Sequence, residues 1–420
     1  MADSPSPYAP GIIGDERTPP RPAGRASVFL VATVVMALVT SQLWQEWSRR
    51  AMMITGHTAP VQLAIVIASI PSWLVLLWAY LSDAVPLWGT RREGYLMLSG
   101  LVVAVVWIAL AAAGARPMAW YVAAAPLGLA SAIARVAIAG GLTEIGRRRG
   151  VTGPLAAAQV ALLQIAVLAS APLLRWSAWA AFDSIWLVAG VAAGLALALV
   201  MLTAALSDDA PPAPPPGPTV TVPRFLRSRA LRSALPMLAF LSVAVVPTSL
   251  LVLELRESHG ERIYGFLPEW EGQIIAVAAI AGYLLASRRV RFTRLLAFAL
   301  LTKAITFAVL AFASHRGTEG MLRSALVMRA AADGLASAAI LDLAMRLAPP
   351  GREAFGAILV AGFPGFLNVV VQTIAMALSV RVESLAWFAA AAVLAAAIAV
   401  SLLPKEISDP PDGRVLGSPP

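Results

Sequence analysis

The chain has 420 residues, 59% of them apolar and 13% charged, with no cysteine and a formal net charge of +9. Soluble domains are about 45–50% apolar and about 25% charged, so the composition excludes an ordinary water-soluble enzyme and fits a polytopic membrane protein, since ~20 apolar residues cross a bilayer once. The missing cysteines remove disulfides, thiolate metal sites and thiol nucleophiles, and the basic excess, 30 Arg and two Lys, lies mostly in short loops, where it signals topology rather than a nucleic-acid surface.

Residues 1–26 are polar and Pro-rich, lack the apolar core of a signal peptide, and read as a disordered tail. Apolar stretches follow at about 27–46, 59–81, 94–114, 118–143, 152–174 and 184–206. A Pro-rich linker, 207–230, comes next, with proline too dense to continue a helix. A second set lies at about 234–255, 271–287, 292–313, 321–347, 354–379 and 384–404, before a polar tail at 405–420. Lipid admits only helices and closed barrels, and runs this long and rich in Ala, Leu and Val are helices. The expectation is an all-α polytopic membrane protein: twelve transmembrane helices in two six-helix halves, 27–206 and 231–404.

With the N-terminus inside, the tails and even-numbered connections hold 20 basic residues, among them Arg91, Arg92, Arg147, Arg148, Arg149, Arg346 and Arg352, against nine on the opposite side. Both termini are therefore expected in the cytoplasm, with the protein in the cell (inner) membrane. The halves look related: GLASA occurs at 128–132 in the fourth span and at 334–338 in the tenth, each followed by a basic turn, GRRRG at 146–150 and PPGRE at 349–353. Such repeats are common in transporters.

The segment WLVLLWAYLSDAVPLWGTRREGYLMLSG, 73–100, bridges the second and third spans. Asp83 closes a helix, and Pro86, Gly89, Arg91 and Arg92 follow. A carboxylate in that place can hold an arginine or face the N-terminus of a neighbouring helix. Either contact across the halves would gate one end of a rocking protein, so Asp83, Gly89, Arg91 and Arg92 are the candidate gate. A tight turn carrying positive-inside arginines would also use these residues.

Asp, then Gly, then Arg-Arg between the second and third of twelve spans resembles the loop motif of the major facilitator superfamily. The longer LSDAVPLWGTRREGYLMLSG, together with RLAPPGREAFGA before the eleventh span, resembles the folate–biopterin transporter branch. The resemblance implies alternating access by two rocking halves, with spans one, four, seven and ten lining a central cavity. The chain departs from the branch pattern at Val75 and Leu76, where that pattern has Lys-Pro, at Arg135 and Ala139, where it has acidic residues, and at Phe355, where it has threonine. The loops are kept while the cavity chemistry differs.

Charges within spans are the next signal, because each costs at least ~2.5–3.5 kcal/mol at the bilayer centre. Arg135 falls in the fourth span; Arg329 and Asp333 lie four residues apart on one face of the tenth. If these spans line the cavity, Arg135, Arg329 and Asp333 meet there with Gln42 of the first span, forming a site for an organic anion with Asp333 as proton carrier. Mutual neutralisation of Arg329 and Asp333 is the structural alternative. Lys303 in the ninth span is expected to bridge to Asp333 or Asp342. Asn368 and Gln372 follow GFPGF at 362–366 and are added to the site, because Gly and Pro there free backbone carbonyls. The histidines, His57, His259 and His315, show no metal-ligand spacing, and no nucleotide or hydrolase motif appears, so neither metal nor cofactor is expected.

The sequence reading is thus a monomeric secondary transporter, not an enzyme, with a small anionic solute and a proton as partners, the lipid bilayer as its surroundings and no nucleic acid. A muropeptide-permease-like carrier and a transporter-shaped assembly or pigment-delivery factor without flux are the alternatives.

Overall fold

A computed structural model describes residues 24–43, 74–114, 116–179, 185–207, 222–259, 266–316, 319–363, 382–404 and 407. Among these residues there is no strand; Leu87 and Thr90 form an isolated bridge that closes a turn. The first-half helices are α1 (Gly24–Ala37), α2 (Val75–Ala84), α3 (Glu93–Ala113), α4 (Pro117–Arg149), α5 (Thr152–Trp179) and α6 (Ile185–Ser207). In the second half are α7 (Arg229–His259), α8 (Phe266–Ala286), α9 (Phe292–Arg316), α10 (Glu319–Leu347), α11 (Glu353–Phe363) and α12 (Val382–Ala399). Helices α3, α4, α5, α6, α9 and α10 each contain a stretch long and apolar enough to cross a membrane. Of the residues read as linker, 222–226 form a short helix whose Phe225 is buried edge-on against Phe355, 6.4 Å between ring centres.

Each half has its own apolar core. One joins α1, α3, α4 and α6 with Leu155 and Ala156 of α5 and takes in Met345 of α10; the other joins α7, α8, α9, α10, α12 and Val360 of α11, and takes in Ala157 and Val160 of α5. Lipid offers no hydrophobic drive between helices, so close packing depends on small residues. A Cβ at Gly100 of α3 would stand 2.7 Å from Val200 of α6, and one at Gly334 of α10 would stand 3.2 Å from the Ala276 carbonyl of α8. The glycine that opens the second GLASA repeat therefore seats α10 on α8. Outward faces stay apolar, as in α6, where Trp186, Leu187, Val191, Leu197 and Met201 are exposed.

Among the described residues the halves meet along α5 with α8, α5 with α10 and α4 with α10, and again where α2 and the loop after it reach the start of α11. The loops 85–92, 146–152 and 348–352 gather at one extremity, called the basic end here for its arginines. Helix α4 stops there at Gly150, whose left-handed φ of 65° lets its amide reach the last carbonyls, with Arg147, Arg148 and Arg149 in the final turn where cations suit the helix dipole.

Helix α1 widens into a π-turn over Leu38–Gln42, where the Leu43 amide reaches back to the Leu38 carbonyl. The fully buried Trp107 of α3 donates its indole N–H to the Val39 carbonyl at 3.1 Å, serving a backbone group inside that turn. Trp107→Phe keeps the aromatic bulk and orphans this carbonyl. It is expected to lower the stability of the detergent-purified protein by about 1–3 kcal/mol, read by thermal or denaturant unfolding.

Candidate functional site

The loop between α2 and α3 is built by a two-residue hairpin. Leu87 and Thr90 exchange backbone hydrogen bonds at 2.9 and 3.0 Å, and Trp88 and Gly89 between them have φ of 49° and 75°. Two consecutive positive φ values are the mark of a type I′ turn, and this is what Gly89 contributes. Thr90 then caps α3: its hydroxyl accepts the Gly94 amide at 2.7 Å. The turn sets the bearing of the two arginines. Arg91 donates to the Asp83 carbonyl at 3.2 Å, closing the C-terminus of α2, while Arg92 turns inward and is completely buried.

Arg92 and Asp83 form an ion pair with both side chains fully enclosed. Arg92 also donates to the Ser82 hydroxyl at 2.7 Å and lies 3.5 Å from the Glu353 carboxylate of the second half. Burial works against the Arg92 charge, but Asp83, Glu353 and Glu144 more than offset it and hold the guanidinium above its ordinary pKa. The Asp83 carboxylate in turn accepts the backbone amides of Ala354 at 3.2 Å and Phe355 at 2.8 Å. These are among the orphan donors of the first turn of α11, so Asp83 sits on the positive end of a helix that belongs to the other half.

Further contacts close the same end. Arg147 donates to the Ala348 carbonyl, and the Arg352 guanidinium stacks 4.5 Å from the centre of the Tyr80 ring. Val75, Ala79, Val136, Ala139, Ala348, Ala354, Ala357 and Ile358, drawn from both halves, form a buried apolar seal. Gly140 makes the approach possible, because a Cβ there would stand 2.7 Å from the Arg92 guanidinium and 2.9 Å from Ala354. Within the first half a second network steadies the loop: Arg25 reaches Glu93 at 2.5 Å and Glu144 at 4.0 Å, and Glu144 takes Arg148 at 2.8 Å.

Beyond the seal lies Arg135. From Ala132 to Gly146 every other residue of α4 is buried, and Arg135 alone is exposed. A lipid-facing side would expose its i±3 and i±4 neighbours too, and at Arg135 those neighbours are buried or half-buried. Ser131, one turn earlier on the same face, is half-buried. In α10, Arg329, Asp333 and Ser337 share a face, with Ser337 exposed. Ser131 and Ser337 occupy the same position of the two GLASA repeats.

The structure brings Arg329 and Asp333 together at 3.3 Å and adds Lys303, whose Nζ is 2.8 Å from the second Asp333 oxygen. The expected Lys303 bridge thus goes to Asp333. Asp342 is engaged elsewhere, by Arg346 at 2.8 Å and the Tyr283 hydroxyl at 3.0 Å. No ion pair links Arg135 to Asp333 among the described residues. Gln42 lies in the π-turn of α1, its side chain outside the described residues, and Asn368 and Gln372 lie outside them altogether. No group of metal-binding side chains occurs among the described residues. Ser82, Gly140 and Glu353 are site residues that sequence reasoning missed; the paired glycines at 140–141 and the acidic residue of PPGRE were their only signals.

Residues 47–171 match the BT1 family. The structure resembles a bacterial homologue of the iron transporter ferroportin in its outward-facing state, with TM-score 0.70 and 15% identity over 90% of this chain and 98% of that one. It also resembles the major facilitator superfamily proton:xylose symporter XylE, with TM-score 0.65 and 11% identity over 89% and 94% of the two chains. A third likeness is to the human organic anion transporter MFSD10, with TM-score 0.67 and 10% identity over 90% and 100%. No curated protein matches in sequence. The fold is that of the major facilitator superfamily.

Arg92→Gln removes one partner of an enclosed pair, and the expected cost is about 3–5 kcal/mol, read as a lowered unfolding midpoint in detergent. Gly140→Val should act through the same contact, driving the Arg92 guanidinium from its seat at about 1–3 kcal/mol. If the two changes combine additively, Gly140 acts elsewhere; strong non-additivity is expected.

Proposed function

We propose that the chain is a secondary transporter that moves a small organic anion by alternating access. The observation that carries this reading is the Asp83 carboxylate of one half held by the first-turn amides of α11 in the other, with Arg135 exposed directly beyond the seal. A contact of this kind exists only while the basic ends of the halves are together, so it belongs to one state of a two-state machine. Arg135 supplies a guanidinium at the floor of the open side, and guanidinium groups bind carboxylate or phosphate bidentately.

In this reading the basic end and both termini face the cytoplasm, the protein works as a monomer in the inner membrane, and the described state opens outward. The match to the BT1 family and the loop resemblance make folate- and pterin-like anions the first solutes to try, with proton symport as the mode of coupling.

The test begins with a thermal-shift panel on detergent-purified protein, covering folates, pterins, muropeptides, nucleosides and small carboxylates. A ligand of the folded state at 100 times its dissociation constant adds about 2.7 kcal/mol of apparent stability. One anionic class should shift the protein and lose its effect in Arg135→Gln. A shift only from neutral or cationic solutes would overturn the anion assignment.

Flux in proteoliposomes tests the gate. Asp83→Asn should insert normally and transport poorly, and unchanged flux would remove the latch. The natural absence of cysteine allows a direct check of state. Ser337→Cys should react with an impermeant maleimide from the side opposite the basic end, and adding Asp83→Asn should raise its labelling from the basic side.

A further inference from the structure

Lys303 lies in the middle of α9, whose outer face presents Phe298, Leu301, Ile305 and Phe312 at the molecular surface. It is two residues from both Leu301 and Ile305, which at about 100° per residue puts it on the opposite face, toward α10. Its ammonium lies 5.9 Å from the centre of the buried Phe307 ring and 2.8 Å from Asp333. Arg329 approaches the other Asp333 oxygen at 3.3 Å. One carboxylate thus serves two cations, and the cluster keeps one positive charge in excess.

Arg135 is a second uncompensated cation at nearly the same depth. Counting from the Arg147–Ala348 contact at the basic end, Arg135 is about 18 Å up α4 and Asp333 about 22 Å up α10, at 1.5 Å per residue. Among the described residues no carboxylate forms an ion pair with Arg135, and Asp333 is the one carboxylate paired with Lys303 and Arg329. Of the other carboxylates of these helices, Glu144 and Asp342 are held near the basic end by Arg25 and Arg148 and by Arg346, and Glu319 opens α10 at the opposite end. The sequence has no acidic residue in 47–82 or in 354–382. Two unbalanced charges inside a membrane are costly and call for a counter-ion.

We infer that the cavity selects solutes carrying two negative charges, and that Lys303, reaching in from an outer helix, is the residue that sets this number. With Lys303 present, Asp333 is satisfied without Arg329, whose guanidinium is then available for one acidic group of the solute while Arg135 takes the other. Without Lys303, Asp333 claims Arg329 and the site is left with the single charge of Arg135. The inference rests on the organic-anion reading proposed above.

Matched probes that differ only in charge test it: terephthalate against terephthalamate, and glutarate against glutaramate, on the full-length protein by thermal shift. A charge-assisted hydrogen bond is worth about 1.5–3 kcal/mol, so each diacid should half-saturate at least about tenfold below its monoamide. Lys303→Gln should bring the two within about twofold by weakening the diacid alone, and Lys303→Arg should retain the preference. Both variants leave Asp333 a cation, so both are expected to fold, as their ligand-free unfolding midpoints would report.

Equal protection by diacid and monoamide, protection by the monoamide alone, or no protection by either diacid overturns the two-charge assignment. Lys303→Gln weakening both members of a pair equally makes Lys303 a structural bridge only, and also overturns it. Failure of the underlying anion reading looks different: every ligand shift, including those from the wider panel, would then survive Arg135→Gln.

Discussion

The Asp83 carboxylate is shared between two partners that lie in different halves of the molecule. Arg92, from the next loop of its own half, meets it inside a dry enclosure, and the Ala354 and Phe355 amides of α11 meet it from across the interface. The rest of the basic end is arranged around that shared group. The Trp88–Gly89 turn exists in the one conformation that sends Arg91 out to the end of α2 and Arg92 in to Asp83. Gly140 lacks a side chain where Arg92 and Ala354 need the volume. Around the ion pair, small apolar side chains from both halves, mostly alanines, complete a buried seal.

Electrostatics above the seal follow a different rule. At the basic end Asp83, Glu93, Glu144, Asp342 and Glu353 each have an arginine within reach, whereas farther up α4, α9 and α10 the described residues hold three cations, Arg135, Lys303 and Arg329, to the one carboxylate of Asp333. Arg135 stands exposed with no partner among the described residues, and Asp333 is divided between Lys303 and Arg329. An arginine survives at such a depth only where water or a ligand reaches it, and its exposure on an otherwise packed helix meets that condition. The same unbalanced charge that would destabilise a closed core is what the proposed organic-anion reading builds on.

The fold was legible in the sequence because the bilayer imposes few solutions. Apolar runs of span length, a Pro-rich interval at the midpoint and asymmetric arginines left little choice of architecture. The contacts of the α2–α3 loop were legible for another reason: Asp83, Gly89 and Arg92 are each demanded by local chemistry, a helix dipole, a positive φ and a buried counter-charge, and local demands leave residue-type signatures. What escaped was everything fixed by long-range packing. Glu353 is 261 residues from Arg92 along the chain, and no periodicity announces that they meet. Gly140 looked like one more small residue in an Ala-rich helix. Lys303 was recognisable as a pairing partner, but two acidic candidates stood at compatible heights, and only the rotation of α10 against α9 decides that Asp333 takes it and Asp342 goes to Arg346 and Tyr283.

Under the proposed alternating access, the basic end must hold one state and still let go, and its composition suits both needs. A buried ion pair returns little net stability, because the Coulombic gain is set against the desolvation of both ions. Asp83 and Arg92 belong to the same half, so rocking need not separate them. What rocking breaks is the reach of Asp83 to two amides of α11, the long contact from Arg92 to Glu353, the Arg147–Ala348 hydrogen bond and the Arg352–Tyr80 stack. Every one of these groups can turn to water once the end opens, which recovers much of the solvation lost on closing. The apolar seal is the part with no such compensation, and it is made largely of alanine, whose small side chains limit the area exposed. In that reading closure is specified by geometry, through a pair that lies within one half, while its free energy stays low enough for differential binding of a solute to tip the balance.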